Sequence, residues 1–172
     1  MSSAPETGQW QALVAAEQEV SKLRAAIYGL PHRADLLAQA ISGTPVWDRA
    51  VALRFMREFP EDTPRLLEQL VDLAMSGGWA RESMEVIRAA RSELDPTRMT
   101  EIVAPFLADG DAEDYLRLAE LATQTESWQV LGAVIDAAAA SDDPEKQEVA
   151  RDFVESHGAM VRTSPGGTTA SS

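Results

Sequence analysis

Apolar residues in the middle of the chain recur every three or four positions, the spacing of one helix face. PVWDRAVALRFMREF (45–59) and DTPRLLEQLVDLAMSGG (62–78) form one pair of such stretches. WARESMEVIRAARSEL (79–94) and DPTRMTEIVAPFLADGD (95–111) form a second pair with the same layout. At a shift of about 33 residues, inside the range of helical repeats, the second stretches align: Arg65 on Arg98, Leu66 on Met99, Glu68 on Glu101, Leu70 on Val103, Leu73 on Phe106 and Gly77 on Gly110. One residue further, the first stretches align: Leu53 on Ile87, Arg54 on Arg88, Met56 on Ala90 and Arg57 on Arg91. A weaker copy follows in YLRLAELA (115–122) and SWQVLGAVIDAAAA (127–140), and LLAQAISG (36–43) matches LVDLAMSG (70–77) as a truncated second helix. The pattern predicts an all-α chain of about three and a half helix pairs. Such units cannot bury their apolar faces alone, so they are expected to stack as a right-handed α-solenoid with an N-terminal capping helix.

Punctuation supports these boundaries. Thr44-Pro45 opens a helix and Phe59-Pro60 closes it. Asp62 or Thr63 before Pro64, Asp95 before Pro96 and Asp143 before Pro144 place acidic or hydroxyl caps ahead of a first-turn proline. Gly77-Gly78 ends another helix, and Pro105 is expected to kink the helix that contains it. No segment shows strand alternation with hairpin turn chemistry. Upstream, a helix from Gln9 to about Tyr28 carries Leu13, Ala16, Val20, Leu23, Ile27 and then Leu30 in heptad steps. This seam has two readings, a cap lying on the first repeat, which we prefer, and a dimerising coiled coil. The domain assignment is therefore a disordered tail over 1–8, a helical repeat domain over 9–157 and a disordered tail over 158–172.

The unit resembles the helix pairs of HEAT-like and armadillo-type repeat proteins. PVWDRAVALRFM followed by TPRLLEQLVDLA is similar to their short units, in which a proline opens a first helix with an internal arginine and a Leu-rich second helix follows. The resemblance covers roughly 30–157. It implies that the second helices, at 64–76, 97–108 and 127–140, line a concave binding surface. A tetratricopeptide reading competes at one point, where Trp128, Leu131 and Gly132 fit the opening W-x2-L-G.

Charge narrows the function. The 172 residues carry a net −13, which argues against nucleic acid and anionic membrane surfaces as partners. Of the 15 basic residues, 13 are arginine, a bias we attribute to a GC-rich genome. Cysteine is absent, which removes disulfides, thiolate metal sites and cysteine nucleophiles. No apolar run has the length of a membrane span, and the start MSSAPETGQ lacks the basic and apolar regions of a signal peptide. The expected location is the cytoplasm.

Candidate contact residues follow from the repeat. Arg54 with Arg57, and Arg88 with Arg91, hold equivalent places, as do Arg65 and Arg98. Stacked, they would line a basic stripe suited to acidic groups. The plainer reading is that Arg57 and Arg91 favour the negative ends of their helices and pair with nearby carboxylates. Outward positions on the second helices add Glu68, Gln69, Asp72, Glu101 and Gln129. Trp10, Trp47, Trp79 and Trp128 fall near helix starts, where packing between repeats is expected over exposure as interface anchors. Asp109, Asp111 and Glu113 imitate a calcium loop, but the sixth position is Asp114 rather than the required glycine, so they are read as helix caps and no metal is assigned. His32 and His157 are far apart along the array, and no nucleophile elbow, phosphate loop or H-E-x-x-H motif is present, so no catalytic residue or cofactor is assigned.

The expectation is a non-enzymatic adaptor or scaffold that binds another protein or a peptide, as a monomer or a weak homodimer through its N-terminal helix. The alternatives are an acidic inhibitor, such as an immunity protein, that neutralises a basic partner, and a small enzyme or metal protein.

Overall fold

Acid–proline pairs and glycines set the helix limits much as the punctuation predicts. The computed structural model describes the backbone of residues 4–163 and side chains from Thr7 onward, and among these every regular element is helical. In chain order the elements are α1 (Ala4–Tyr28), α2 (Arg33–Ser42), α3 (Val46–Glu58), α4 (Thr63–Met75), α5 (Ala80–Ala89), α6 (Pro96–Asp109), α7 (Ala112–Gln124), α8 (Trp128–Ala139) and α9 (Pro144–Thr163). Single 3-10 turns at Pro60–Asp62 and Arg91–Glu93 follow α3 and α5, the first running directly into α4. Asp95 accepts the Thr97 N–H at 2.9 Å and starts α6. Asp111 and Asp114 form a reciprocal capping box at the start of α7, so these two carboxylates of the imitation calcium loop cap a helix.

Helices two apart in the chain pack together. α2 lies on α4, α4 on α6 and α6 on α8, while α3 lies on α5, α5 on α7 and α7 on α9. One apolar core runs from Leu37 in α2 to Ala150 in α9. Positions aligned by sequence share the same environment. Leu53 and Ile87, Met56 and Ala90, Leu66 and Met99, and Leu70 and Val103 are all buried, and Arg54, Arg88, Arg65 and Arg98 are all exposed.

Cations close the ends of several helices, where the last carbonyls lack partners within the helix. Arg49 of α3 donates to the Ile41 and Gly43 carbonyls at 2.7 and 2.6 Å, at the end of α2. Arg117 of α7 donates to Met75 O of α4 at 2.6 Å, and Lys146 of α9 donates to Gly110 O after α6 at 2.6 Å. Arg33 of α2 does the same for Tyr28 O of α1 at 2.7 Å.

At both ends the described helices run past the limits expected for the repeat domain. Helix α1 begins at Ala4 rather than near Gln9, and residues 1–3 lie outside the described part. At the other end α9 continues through Gly158 to Thr163, and 164–172 lie outside the described part. Gly158 is buried within the helix, and Val161 packs on the core beside Gly132 of α8. Tertiary contact outweighs the weak helix preference of glycine there.

The N-terminal helix departs from the preferred cap reading. Only its last turn is fastened to the body: Ile27 packs on the core, Tyr28 meets Phe59 with ring centroids 5.1 Å apart, and Arg24 pairs with Glu58 at 3.0 Å. From Thr7 to Leu23 every residue is exposed, including the seam positions Leu13, Ala16, Val20 and Leu23.

Candidate functional site

The two kinds of candidate residue behave differently once folded. Most arginines of the row have carboxylate partners on another element. Arg57 of α3 pairs with Glu85 of α5 at 2.8 Å, and Arg81 reaches the same carboxylate at 3.3 Å. The hydrogen bond from Arg57 holds the Glu85 carboxyl below its ordinary value; desolvation opposes it, and the bond from Arg81 adds to the lowering. Arg88 and Arg91 both pair with Glu126, which follows α7 in a left-handed backbone conformation (φ 57°). On the second helices Arg98 meets Glu68 at 3.5 Å and Glu101 at 3.2 Å, and Arg65 meets Asp35 at 3.9 Å.

The row is thus broken into separate clusters. Arg54 and Arg57 share a cleft of about 290 Å³ with Trp79, Arg81, Glu82 and Glu85. Arg91 and Gln129 line another, of about 340 Å³, between the end of α5 and the start of α8. Asp72 is exposed on α4, whereas Gln69 is half-buried and its Oε1 is enclosed without a hydrogen-bond partner among the described residues. Exposed ion pairs of this kind contribute little to stability, but they occupy groups that a ligand would need.

The tryptophans divide. Trp79 and Trp128 are half-buried and pack on the core as expected, Trp79 with the Arg49 guanidinium 5.8 Å from its ring centroid. Trp47 and Trp10 do not pack: they are 78% and 66% exposed. Trp47, largely exposed, lines an apolar groove of about 440 Å³ between α2 and α3, to which Ile27 of α1 also contributes. Leu36, Val51, Leu37, Ala52 and Phe55 line this groove, and Asp48 is its one charged lining residue. Leu36 and Val51 are exposed, so the groove opens outward over side chains that stand bare.

The groove arises from the short first unit. Gly43 and Pro45 stop α2 after ten residues and turn the chain into α3, so α2 covers only part of the α3 face. Residues from Thr7 to Val51 hold eleven of the fourteen exposed large apolar side chains among the described residues. Isolated exposed apolar residues are ordinary, but a contiguous patch with aromatic anchors marks an interaction surface. Sequence reasoning places its weight on the arginines and misses this face. The signal available to it is the Val46, Trp47 and Val51 set, which falls off the stripe formed by Ala52, Phe55 and Met56.

Chemistry has few footholds elsewhere. His157 lies between Trp128 and Phe153, with centroids 6.3 and 5.9 Å away, and its Nδ1 is enclosed without a partner among the described residues. Tyr115 donates its hydroxyl to Leu107 O at 2.6 Å under the Lys146 ammonium, and burial raises its pKa. Among the described residues no helix is long and apolar enough to cross a membrane, and no group of three or more His, Asp or Glu side chains is placed to hold a metal ion. No protein-family model, no curated protein and no solved structure matches the chain.

Proposed function

We propose that this chain is a non-enzymatic interaction module, an adaptor or scaffold that holds another protein or a peptide on a helical-repeat body. The finer architecture we assign to it is a right-handed α-solenoid of about three and a half helix pairs, of the HEAT-like or armadillo-type kind. The packing of helices two apart, and the shared burial of aligned positions, support that assignment. The observation that carries the function is the apolar groove between α2 and α3 with Trp47 largely exposed in its lining. A groove of this shape suits the apolar face of an amphipathic helix, read through positions three and four apart. Arg54, Arg57 and the other outward charged residues then supply a polar periphery rather than the anchor.

A second reading draws on α9. Glu145, Glu148, Asp152 and Glu155 are exposed on one face of that helix, over roughly three turns. Such a stripe on a chain of charge −13 suits capture of a basic protein by an acidic inhibitor.

One experiment separates the two. The wild-type chain, Val51→Asp and a variant with Glu148, Asp152 and Glu155 changed to Gln are used as bait in lysate of the producing cell, at low and high salt. The first reading expects a partner that survives high salt and is lost with Val51→Asp. The second expects a basic partner that is released by salt and lost with the α9 variant. A retained set that neither variant alters would count against both.

A further inference from the structure

We infer that the partner covering the α1–α3 face is a second copy of this chain. The inference rests on the reading of that face as a protein interface and names its occupant. The face consists of a ridge and a groove. The ridge is the seam of α1, where Leu13, Ala16, Val20 and Leu23 are exposed in heptad steps. The groove lies between α2 and α3. Ile27 belongs to both, as the next seam position and as a lining residue of the groove, so the two form one continuous apolar surface. A two-fold axis beside it would set each ridge against the other copy's groove. This is the self-complementary arrangement of most homodimers.

Area and length favour that occupant. The exposed large side chains of ridge and groove (Leu13, Val20, Leu23, Leu36, Trp47 and Val51) leave on the order of 600 Å² of mostly apolar surface per chain, enough for the apolar share of the roughly 800 Å² per partner that a stable interface buries. The α1 seam alone is too short: it spans about two heptads, and a self-standing coiled coil needs about three or four. Ridge and groove together supply that apolar share, and neither needs another protein to complete it. Charge does not drive the contact, since two chains of −13 repel. The groove lining itself carries one charged residue, Asp48. Added salt should therefore tighten the dimer, the opposite of its effect on an acidic–basic pair.

Sedimentation velocity on the purified full chain, from about 1 to 100 µM at two salt concentrations, tests this. The wild type is expected at twice its 18.6 kDa mass, with more dimer at high salt. Leu23→Asp and Val51→Asp should each weaken it roughly 100-fold, tenfold for each copy of the site. Val154→Asp, an exposed apolar position on α9, should leave it unchanged. Thermal melts of the variants show that each remains folded. Loss of the dimer in both face variants, with Val154→Asp still dimeric, supports the inference. A wild type that stays monomeric at 100 µM overturns it, as does a dimer that neither face variant weakens. Sensitivity to Leu23→Asp alone would mean that the α1 helices pair without the groove, which also overturns it. A monomeric wild type that still loses a lysate partner with Val51→Asp would sink the second copy while keeping the face as an interface for another protein.

Discussion

The two terminal helices are both long, and they end in opposite situations. Helix α9, of 20 residues, lies on α8 and α7 and turns Val149, Ala150, Phe153 and Val161 to the core. Helix α1, of 25 residues, has a more regular seam, yet only its last turn touches the body. Beyond α3 three large apolar side chains stand exposed, Leu116, Val154 and Met160, whereas the shorter stretch from Thr7 to Val51 exposes eleven. Both helices carry apolar residues at helical spacing, but only α9 turns them along its length to the body. An apolar seam records that a face is meant to be covered, but it does not say which chain supplies the cover.

The largest effect should come from testing whether the closed region alone holds the fold. Leu70 is fully buried in the common core, and Leu70→Ala should cost about 3–4 kcal/mol through lost burial and a residual cavity. Leu23→Ala, on the bare seam, should cost less than about 0.5 kcal/mol. Urea unfolding below about 1 µM protein, where self-association adds least, measures both. Similar costs at the two positions would erase the contrast between the regions.

Next in size is the fastening of α1. Arg33 pairs with the Asp62 carboxylate, donates to Tyr28 O and lies over the Tyr28 ring at 4.5 Å, with both charged side chains only 14% exposed. The bond to Asp62 is the main reason that the Arg33 pKa is raised. Arg33→Ala leaves Asp62 partly buried without its cation and should cost about 2–3 kcal/mol. Hydrogen exchange should then speed up at the end of α1 and at the start of α4, while α7 and α8 keep their protection. Uniform acceleration along the whole chain would mean that the two regions unfold as one unit.

Gly77 and Gly110 refine the comparison inside the closed region. The sequence aligns them, but they are glycine for different reasons. Gly77 follows α4 in the left-handed region at φ 86°, where an added methyl would meet only the Arg117 side chain, at 4.0 Å. Gly110 has an ordinary φ of −69°, but a Cβ there would run into Phe106 O and lie 2.9 Å from Asp114 Cβ. Gly77→Ala should cost about 1 kcal/mol from backbone strain. Gly110→Ala should cost about 1–2 kcal/mol, because the α6–α7 corner and its capping box must shift. Thermal melts would rank the two, and the reverse order would show that the α6–α7 corner is the more yielding.

Much of this fold is legible because helix periodicity is local. Leu53 and Ile87, or Leu70 and Val103, share burial because the same spacing faces the same neighbours. The acid–proline start of α6 is legible for a similar reason, since a cap acts within its own turn. What is not legible depends on distant contacts. The stretch from 158 reads as a tail, but the packing of α9 on α8 carries the helix on to Thr163. Arg49, Arg117 and Lys146 have no sequence signal for closing other helices. The repeat of Arg57 in Arg91 is visible, but their partners Glu85 and Glu126 occupy unaligned positions. The exposure of Trp47 depends on how early α2 stops, which periodicity does not encode.

The smallest effect tests whether ion pairs, rather than apolar packing, close the region beyond α3. Glu85 joins α5 to α3 through Arg57, and its side chain is 37% exposed. Its folded pKa is lowered, first by the Arg57 hydrogen bond, so its stabilisation is complete above the ordinary value of 4.5. It is lost as pH falls through the lowered folded value, because protonation removes the charge that Arg57 and Arg81 hold. Exposure and solvent screening limit the contribution to less than about 0.5 kcal/mol. Urea titrations of the wild type and Glu85→Gln should therefore differ by that amount at pH 7 and converge once the pH falls below the lowered folded value. A loss well above 1 kcal/mol at pH 7 would mean that the charged ladder, not the core, holds α5 against α3. The contrast between the two regions would then lie in their ion pairs as much as in their covered apolar faces.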